Sequence, residues 1–168
     1  MIAAADEPET RTRRKGDEGG QGPILVAVDF SEDSREAVLW ASHEAMHLGA
    51  RLIILHVVHD PAASPGFYKR MDEDWLRPMD EAAREMMDTF LAEMRASHPS
   101  LSVLLNVEIR FVTGLPAGRI VEVAKEEDAT LIVIGSCGRT GLPHILLGSV
   151  AERVVQLAPM PTVVVKRQ

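Results

Sequence analysis

Four short runs of this chain are apolar almost from end to end: ILVAV (24–28), RLIILHVV (51–58), TLIVIG (130–135) and TVVVK (162–166). A strand with one face in water alternates apolar and polar residues; these runs do not alternate, so each is read as a strand buried on both faces. A sheet covered twice needs helices above and below it, and parallel neighbours need a crossover helix between them. A further run, SVLLNVEIRFV (102–112), reads as a strand placed third in chain order.

The intervening segments have the crossover character this demands. SEDSREAVLWASHEAMHL offers Ser31 or Ser34 as an N-cap, acids in its first turn and Gly49 as its stop. On that helix Ala37, Val38, Ala41, Ala45 and Leu48 share one arc of roughly 100°. A loop bearing Pro61, Pro65 and Gly66 leads to a long helix ending near Ser97, with Leu76, Met79, Ala83, Met86, Phe90 and Met94 as its core stripe. The acids from Asp72 to Asp88 form its wet face. Pro116 suits the first turn of a helix reaching about Glu127, and HILLGSVAERVVQLA (144–158) reads as the last helix, ended by Pro159 and Pro161. The pattern β-α-β-α-β-α-β-α-β, with no hairpin signal, predicts an α/β fold with a doubly wound five-stranded parallel sheet and helices on both faces. Ligands of such sheets bind outside the carboxyl ends of the strands, which directs attention to Asp29 and to GSCGRTGLPHILLGS (135–149).

Composition narrows the function. A chain of 168 residues suits one domain. Its net charge of -7 argues against a nucleic-acid partner, and the single cysteine, Cys137, fits a reducing, cytoplasmic setting. No apolar run approaches the roughly 20 residues of a membrane span. Residues 1–22 are polar and glycine-rich and read as a disordered leader, with the domain proper at 23–168. The basic cluster Arg11, Arg13, Arg14 and Lys15 reads as part of that solvated tail.

Several motifs invite chemistry and are better explained otherwise. HEAMH (43–47) matches the H-E-x-x-H zinc pattern. Its two histidines point nearly opposite the apolar arc, however, where a catalytic zinc would find no third ligand and no pocket. His56 and His59 flank the end of the second strand, and His56 reads as a satisfied core residue. Cys137 has no second cysteine to resolve an oxidised form and reads as an ordinary loop residue. Asp29 and Asp33 have no spacing that commits them to acid–base work. No metal-ligand set and no catalytic residue is assigned.

The glycines of 135–149 carry more information. They form neither a Walker A loop, nor a dinucleotide fingerprint, nor a nucleophile elbow. Gly135 and Gly138 fit a tight turn from strand to helix, and equally a nest of N–H groups for a phosphate. Gly148 lies within the apparent helix, whose Leu146, Val150, Val154 and Leu157 share a face, and there glycine costs about 1 kcal/mol relative to alanine. That cost points to close approach by a ligand or another backbone, with the Ser149 hydroxyl available to a phosphate oxygen.

From Ile24 to Lys166 the chain resembles the universal stress protein family, and specifically its ATP-binding branch. ILVAVDFSEDSREAVLWA is similar to the family's opening strand and helix. LIILHVV is similar to its second strand, and GLPAGRIVEVAKEEDATLIVIGSCGRTGL to its third helix and fourth strand. ILLGSVAERVVQLAPMPTVVVK is similar to its ending. The branch's G-x2-G-x9-G-[ST] motif is matched by Gly135, Gly138, Gly148 and Ser149. The resemblance implies a Rossmann-like sheet of order 3-2-1-4-5 and an ATP-binding regulatory protein of the stress response. It implies Ala27, Val28 and Asp29 at adenine and ribose, and Val57 at the adenine ring. It places Gly135, Gly138 and Arg139 along the phosphates, and Gly148, Ser149 and the Val150 N–H at the distal ones. Mg²⁺ would ride on phosphate oxygens and water, and a homodimer would form through 162–166. The alternatives are a nucleotide-free dimeric interaction module and a slow ATPase. The leader 1–22 and the loop 60–75 fall outside the resemblance.

Overall fold

The computed structural model describes residues 21–59, 73–138 and 147–167. Arg139, most of the expected leader and most of the loop at 60–75 lie outside the described residues.

Five strands form one parallel sheet of order β3-β2-β1-β4-β5. They are β1 (Ile24–Ala27), β2 (Leu52–His59), β3 (Glu108–Gly114), β4 (Leu131–Gly135) and β5 (Thr162–Val165). β1 is central, with Ile24 opposite both Leu52 and Leu131. The continuous apolar runs are explained by where alternate residues go. Ile24, Val26, Ile54 and Val133 face one core with α1 (Glu32–Leu48) and α2 (Glu73–Ser97). Leu25, Ile53, Ile132 and Ile134 face a second core with α3 (Pro116–Glu126) and α4 (Ser149–Leu157). All four residues of β1 are buried.

α1 is capped as its sequence suggests. Ser31 is the N-cap, its hydroxyl accepting the Ser34 N–H at 3.2 Å, and Gly49 closes the helix with φ of 63°. Ala37, Ala41 and Ala45 are fully or almost fully buried, and their small side chains let the helix lie close on the sheet. Leu48, expected in the same arc, is 37 % exposed because the helix ends there and turns away.

The expected third strand is corrected. Ser102–Asn106 is a 3₁₀ helix, and β3 begins only at Glu108. Leu101 and Leu104 are buried three residues apart, and the Leu104 carbonyl accepts from the Arg95 guanidinium at 2.9 Å. This three-residue period was available in the sequence, but the density of apolar residues masked it. The α2 stripe also differs: Ala83, Phe90 and Met94 are buried with Met87 and Leu91, whereas Met79 and Met86 are exposed.

Leu104→Ala is expected to cost about 2–5 kcal/mol in chemical denaturation, because it empties a fully buried site. Leu105→Ala, at a position 67 % exposed, is expected to change stability by no more than about 0.5 kcal/mol. Equal costs at the two positions would contradict the 3₁₀ assignment.

Candidate functional site

β1 sends its chain to α1 on one face of the sheet, and β4 leads towards α4 on the other. The two exits diverge at adjacent strands, leaving a cleft at their carboxyl ends. A cavity of about 840 Å³ occupies it.

The β1 exit is built from three residues. The Val28 N–H donates to the Leu55 carbonyl at 2.9 Å, prolonging the sheet by one rung. The Asp29 carboxylate accepts from the Ser31 N–H at 3.0 Å and the Ser31 hydroxyl at 2.6 Å, folding the chain into the start of α1. Between them Phe30 has φ of 66°, a left-handed backbone that costs a bulky residue about 1–2 kcal/mol. Its ring lies 4.6 Å from His56 and 5.8 Å, edge-on, from Phe90.

The β4 exit is held by Asp33, in the first turn of α1. Its Oδ2 accepts from the Ser136 hydroxyl at 2.7 Å and from the Cys137 N–H at 3.0 Å. Ser136 is 2 % exposed, and its hydroxyl takes the Asp33 carboxylate as its short partner, with Cys137 Sγ farther off at 3.8 Å. Sequence reasoning considers Asp33 only as a catalytic candidate, sets it aside there and assigns it no other role. Its partners are more than 100 residues away, and local spacing contains no sign of them.

The described glycines of this stretch, Gly135, Gly138 and Gly148, stand where a side chain would crowd a neighbour. A Cβ at Gly135 would lie 2.8 Å from the Asp33 carbonyl carbon, and one at Gly138 would lie 2.7 Å from Asp29 Oδ2. The account of Gly148 is corrected. It is the N-cap of α4, extended at φ -72° and ψ 153°, and not a residue within the helix. Its N–H donates to the Ser136 carbonyl at 2.7 Å, and a Cβ there would lie 3.2 Å from that same oxygen. The close approach inferred from the sequence exists, and the partner is the backbone at the end of β4. Residues 144–146, expected at the start of this helix, lie outside the described residues. The apolar face of α4 is carried by Ala151 and Val154, while Val150 and Leu157 are 36 % and 41 % exposed.

Nine of the ten residues singled out in the sequence line this one cavity. Ala27, Val28 and Asp29 come from β1 and its exit, Val57 from β2, Gly135 and Gly138 from β4 and its exit, and Gly148, Ser149 and Val150 from the start of α4. The tenth, Arg139, is outside the described residues. The cavity also takes in Phe30, His56, Met79, Met86 and Glu152, none of which had been assigned a ligand role. The two exposed methionines thus belong to the cavity wall. His56 is more than a core residue: it is half-buried, lines the cavity and bonds to the Val28 carbonyl at 2.7 Å.

The remaining candidates sit elsewhere or have other duties. His43 and His47 are exposed on the outer face of α1. Cys137 lines the cavity, and its N–H is engaged by Asp33. Among the described residues, no group of three or more His, Cys, Asp or Glu side chains is placed to hold a metal ion. Likewise, no helix there is long and apolar enough to cross a membrane.

Asp33→Ala is expected to lower stability by about 2 kcal/mol, since it strips a buried hydroxyl and an N–H of a charged acceptor. Gly135→Ala is expected to cost about 1–3 kcal/mol by overpacking against the first turn of α1. Denaturant titration checks both, and wild-type stability in either variant would refute the described contacts.

Comparison with known proteins adds the following. The sequence profile of the universal stress protein family matches residues 22–166. A universal stress protein of Methanocaldococcus jannaschii, MJ0531, is 35 % identical over 144 residues, covering 86 % of this chain and 81 % of the relative. The chain spans about half the length of its mycobacterial relatives, covering 45 % of the one from Mycolicibacterium smegmatis. Among solved structures, the universal stress protein UspA of Lactobacillus plantarum superposes with a TM-score of 0.66 at 26 % identity, over 87 % of this chain and 98 % of that one. A universal stress protein of Archaeoglobus fulgidus, solved in complex with dAMP, gives 0.55 at 27 % identity, again over 87 % and 98 %.

Proposed function

The chain belongs to the universal stress protein family, and from that premise we propose that it binds an adenine nucleotide, ATP, across the carboxyl edge of its sheet as a regulatory protein of the stress response. The observation that carries this reading is the convergence on one cavity of the β1 exit, Val57 and the amino end of α4. Adenine and ribose are assigned to Ala27, Val28, Asp29 and Val57. The phosphates are assigned to Gly135, Gly138, Arg139, Gly148, Ser149 and Val150. An α-helix amino terminus presents unpaired N–H groups and a positive dipole end, which suits a phosphate. An A. fulgidus relative of the same fold forms a complex with dAMP, which supports an adenine nucleotide as the ligand class.

Mg²⁺ is assigned to the phosphate oxygens and water, because the described carboxylates do not group into a cage. Hydrolysis, where it occurs, is slow. The protein is placed in the cytoplasm as a homodimer joined along β5, an edge strand whose free backbone groups suit pairing with a second copy.

One observation favours a second reading, a nucleotide-free interaction module. All three motif glycines are accounted for by contacts within the chain, with Asp33, Asp29 and Ser136. Calorimetric titration with ATP and Mg²⁺ separates the readings, together with analysis of small molecules released on denaturation. An empty protein with no heat of binding at millimolar ATP leaves the interaction module. Ser149→Glu sharpens the test. The Ser149 side chain is exposed at the first position of α4, where a carboxylate favours the helix but repels a phosphate. ATP affinity is expected to fall by about tenfold or more (about 1.4 kcal/mol) with stability unchanged; unchanged affinity would remove the phosphates from this helix.

A further inference from the structure

Four rings run in series, and two of them, Phe30 and His56, line the cavity. Phe111 of β3 meets His56 edge-on at 6.2 Å, His56 meets Phe30 at 4.6 Å, and Phe30 meets Phe90 of α2 at 5.8 Å. Each end is covered by a guanidinium: Arg84 lies 4.7 Å from the centre of Phe111, and Arg35 lies 4.9 Å from that of Phe90. The series joins β3, β2, the β1 exit and α2.

His56 is the member that touches backbone. A carbonyl oxygen only accepts, so its Nδ1 carries the proton and donates to Val28 at 2.7 Å. Val28 precedes Asp29, and Phe30, stacked on the same imidazole, follows it with its left-handed backbone. One side chain therefore grips both neighbours of Asp29. A left-handed phenylalanine persists only where its surroundings enforce it, and the imidazole face is one such surrounding.

We propose that His56 is a positioning residue for the nucleobase end of the cavity: by holding the Val28 carbonyl and the Phe30 ring, it fixes the wall against which the base lies. This rests on the nucleotide-binding reading above. In that assignment Val28 and Val57 flank the base; His56 precedes Val57 on β2 and bonds to the Val28 carbonyl. Base recognition then depends on His56 more than phosphate recognition does, because Gly148, the N-cap of α4, is tied separately to Ser136, and Ser136 to Asp33.

The test compares ATP and CTP binding by calorimetry in the wild type, His56→Ala and His56→Asn, each with its ligand-free unfolding midpoint recorded. An asparagine amide can reproduce the Nδ1–H donor without the ring. His56→Ala is expected to weaken ATP about tenfold, through loss of one hydrogen bond and one ring contact. CTP should weaken less, so that the ATP-to-CTP affinity ratio falls. His56→Asn is expected to recover part of the ATP loss. A merely structural role would weaken both nucleotides equally and follow the unfolding midpoint. An unchanged ratio, a wild type with no ATP preference over CTP, or an asparagine variant no better than alanine each overturns the proposal. A wild type that binds no nucleotide overturns the underlying reading and this proposal with it. That result is seen before any variant is made.

Discussion

The cavity depends on the position of β1. Because β1 lies between β2 and β4 and is buried on both faces, its chain must leave towards one layer of helices while that of β4 leaves towards the other. A cleft at the carboxyl ends of these strands follows from topology alone. Burial of Ile24, Leu25, Val26 and Ala27 on alternate sides makes the arrangement hard to alter: slipping one residue would exchange two cores of different shape. The site inherits rigidity from the strands and needs only short connections of its own.

Those connections are supplied by two aspartates in α1 and its approach. Asp29 turns the β1 exit into the helix cap, and Asp33 reaches across to the β4 exit. A side chain at Gly135 would run into the Asp33 backbone, and one at Gly138 would displace the Asp29 carboxylate. Gly148 closes the third side on Ser136. The glycine pattern is therefore an imprint of how closely three backbone segments approach one another.

The fold was largely legible because its signals are local: unbroken apolar runs, a serine cap, Gly49 and Pro116 each act within one turn. Strand order came from resemblance. The misread segments are those where a local signal had two meanings. SVLLNV is apolar enough for a strand, yet Leu101 and Leu104 recur every three residues and form a 3₁₀ plug. Gly148 looked like a helix interior because apolar residues continue on both sides of it. Met79 and Met86 matched a core stripe, but at the edge of the sheet the same face of α2 looks into the cavity. Nine residues named from the sequence line one cavity, whereas Asp33, Phe30 and His56 were given no role in it. Their importance lies in partners brought near only by the fold.

The charge of the cavity constrains what the site can favour. Among its described lining residues only Asp29 and Glu152 are acidic, and there is no lysine or arginine. One helix terminus contributes roughly half a positive charge, less than a triphosphate bears. A ligand held there must derive much of its affinity from base and ribose packed against Val28, Val57 and the Phe30–His56 pair. In the proposed reading its phosphate charge would fall to accompanying Mg²⁺ and to Arg139, which lies outside the described residues. For a bound nucleotide so assigned, the described wall therefore offers more to the base and ribose than to the phosphates.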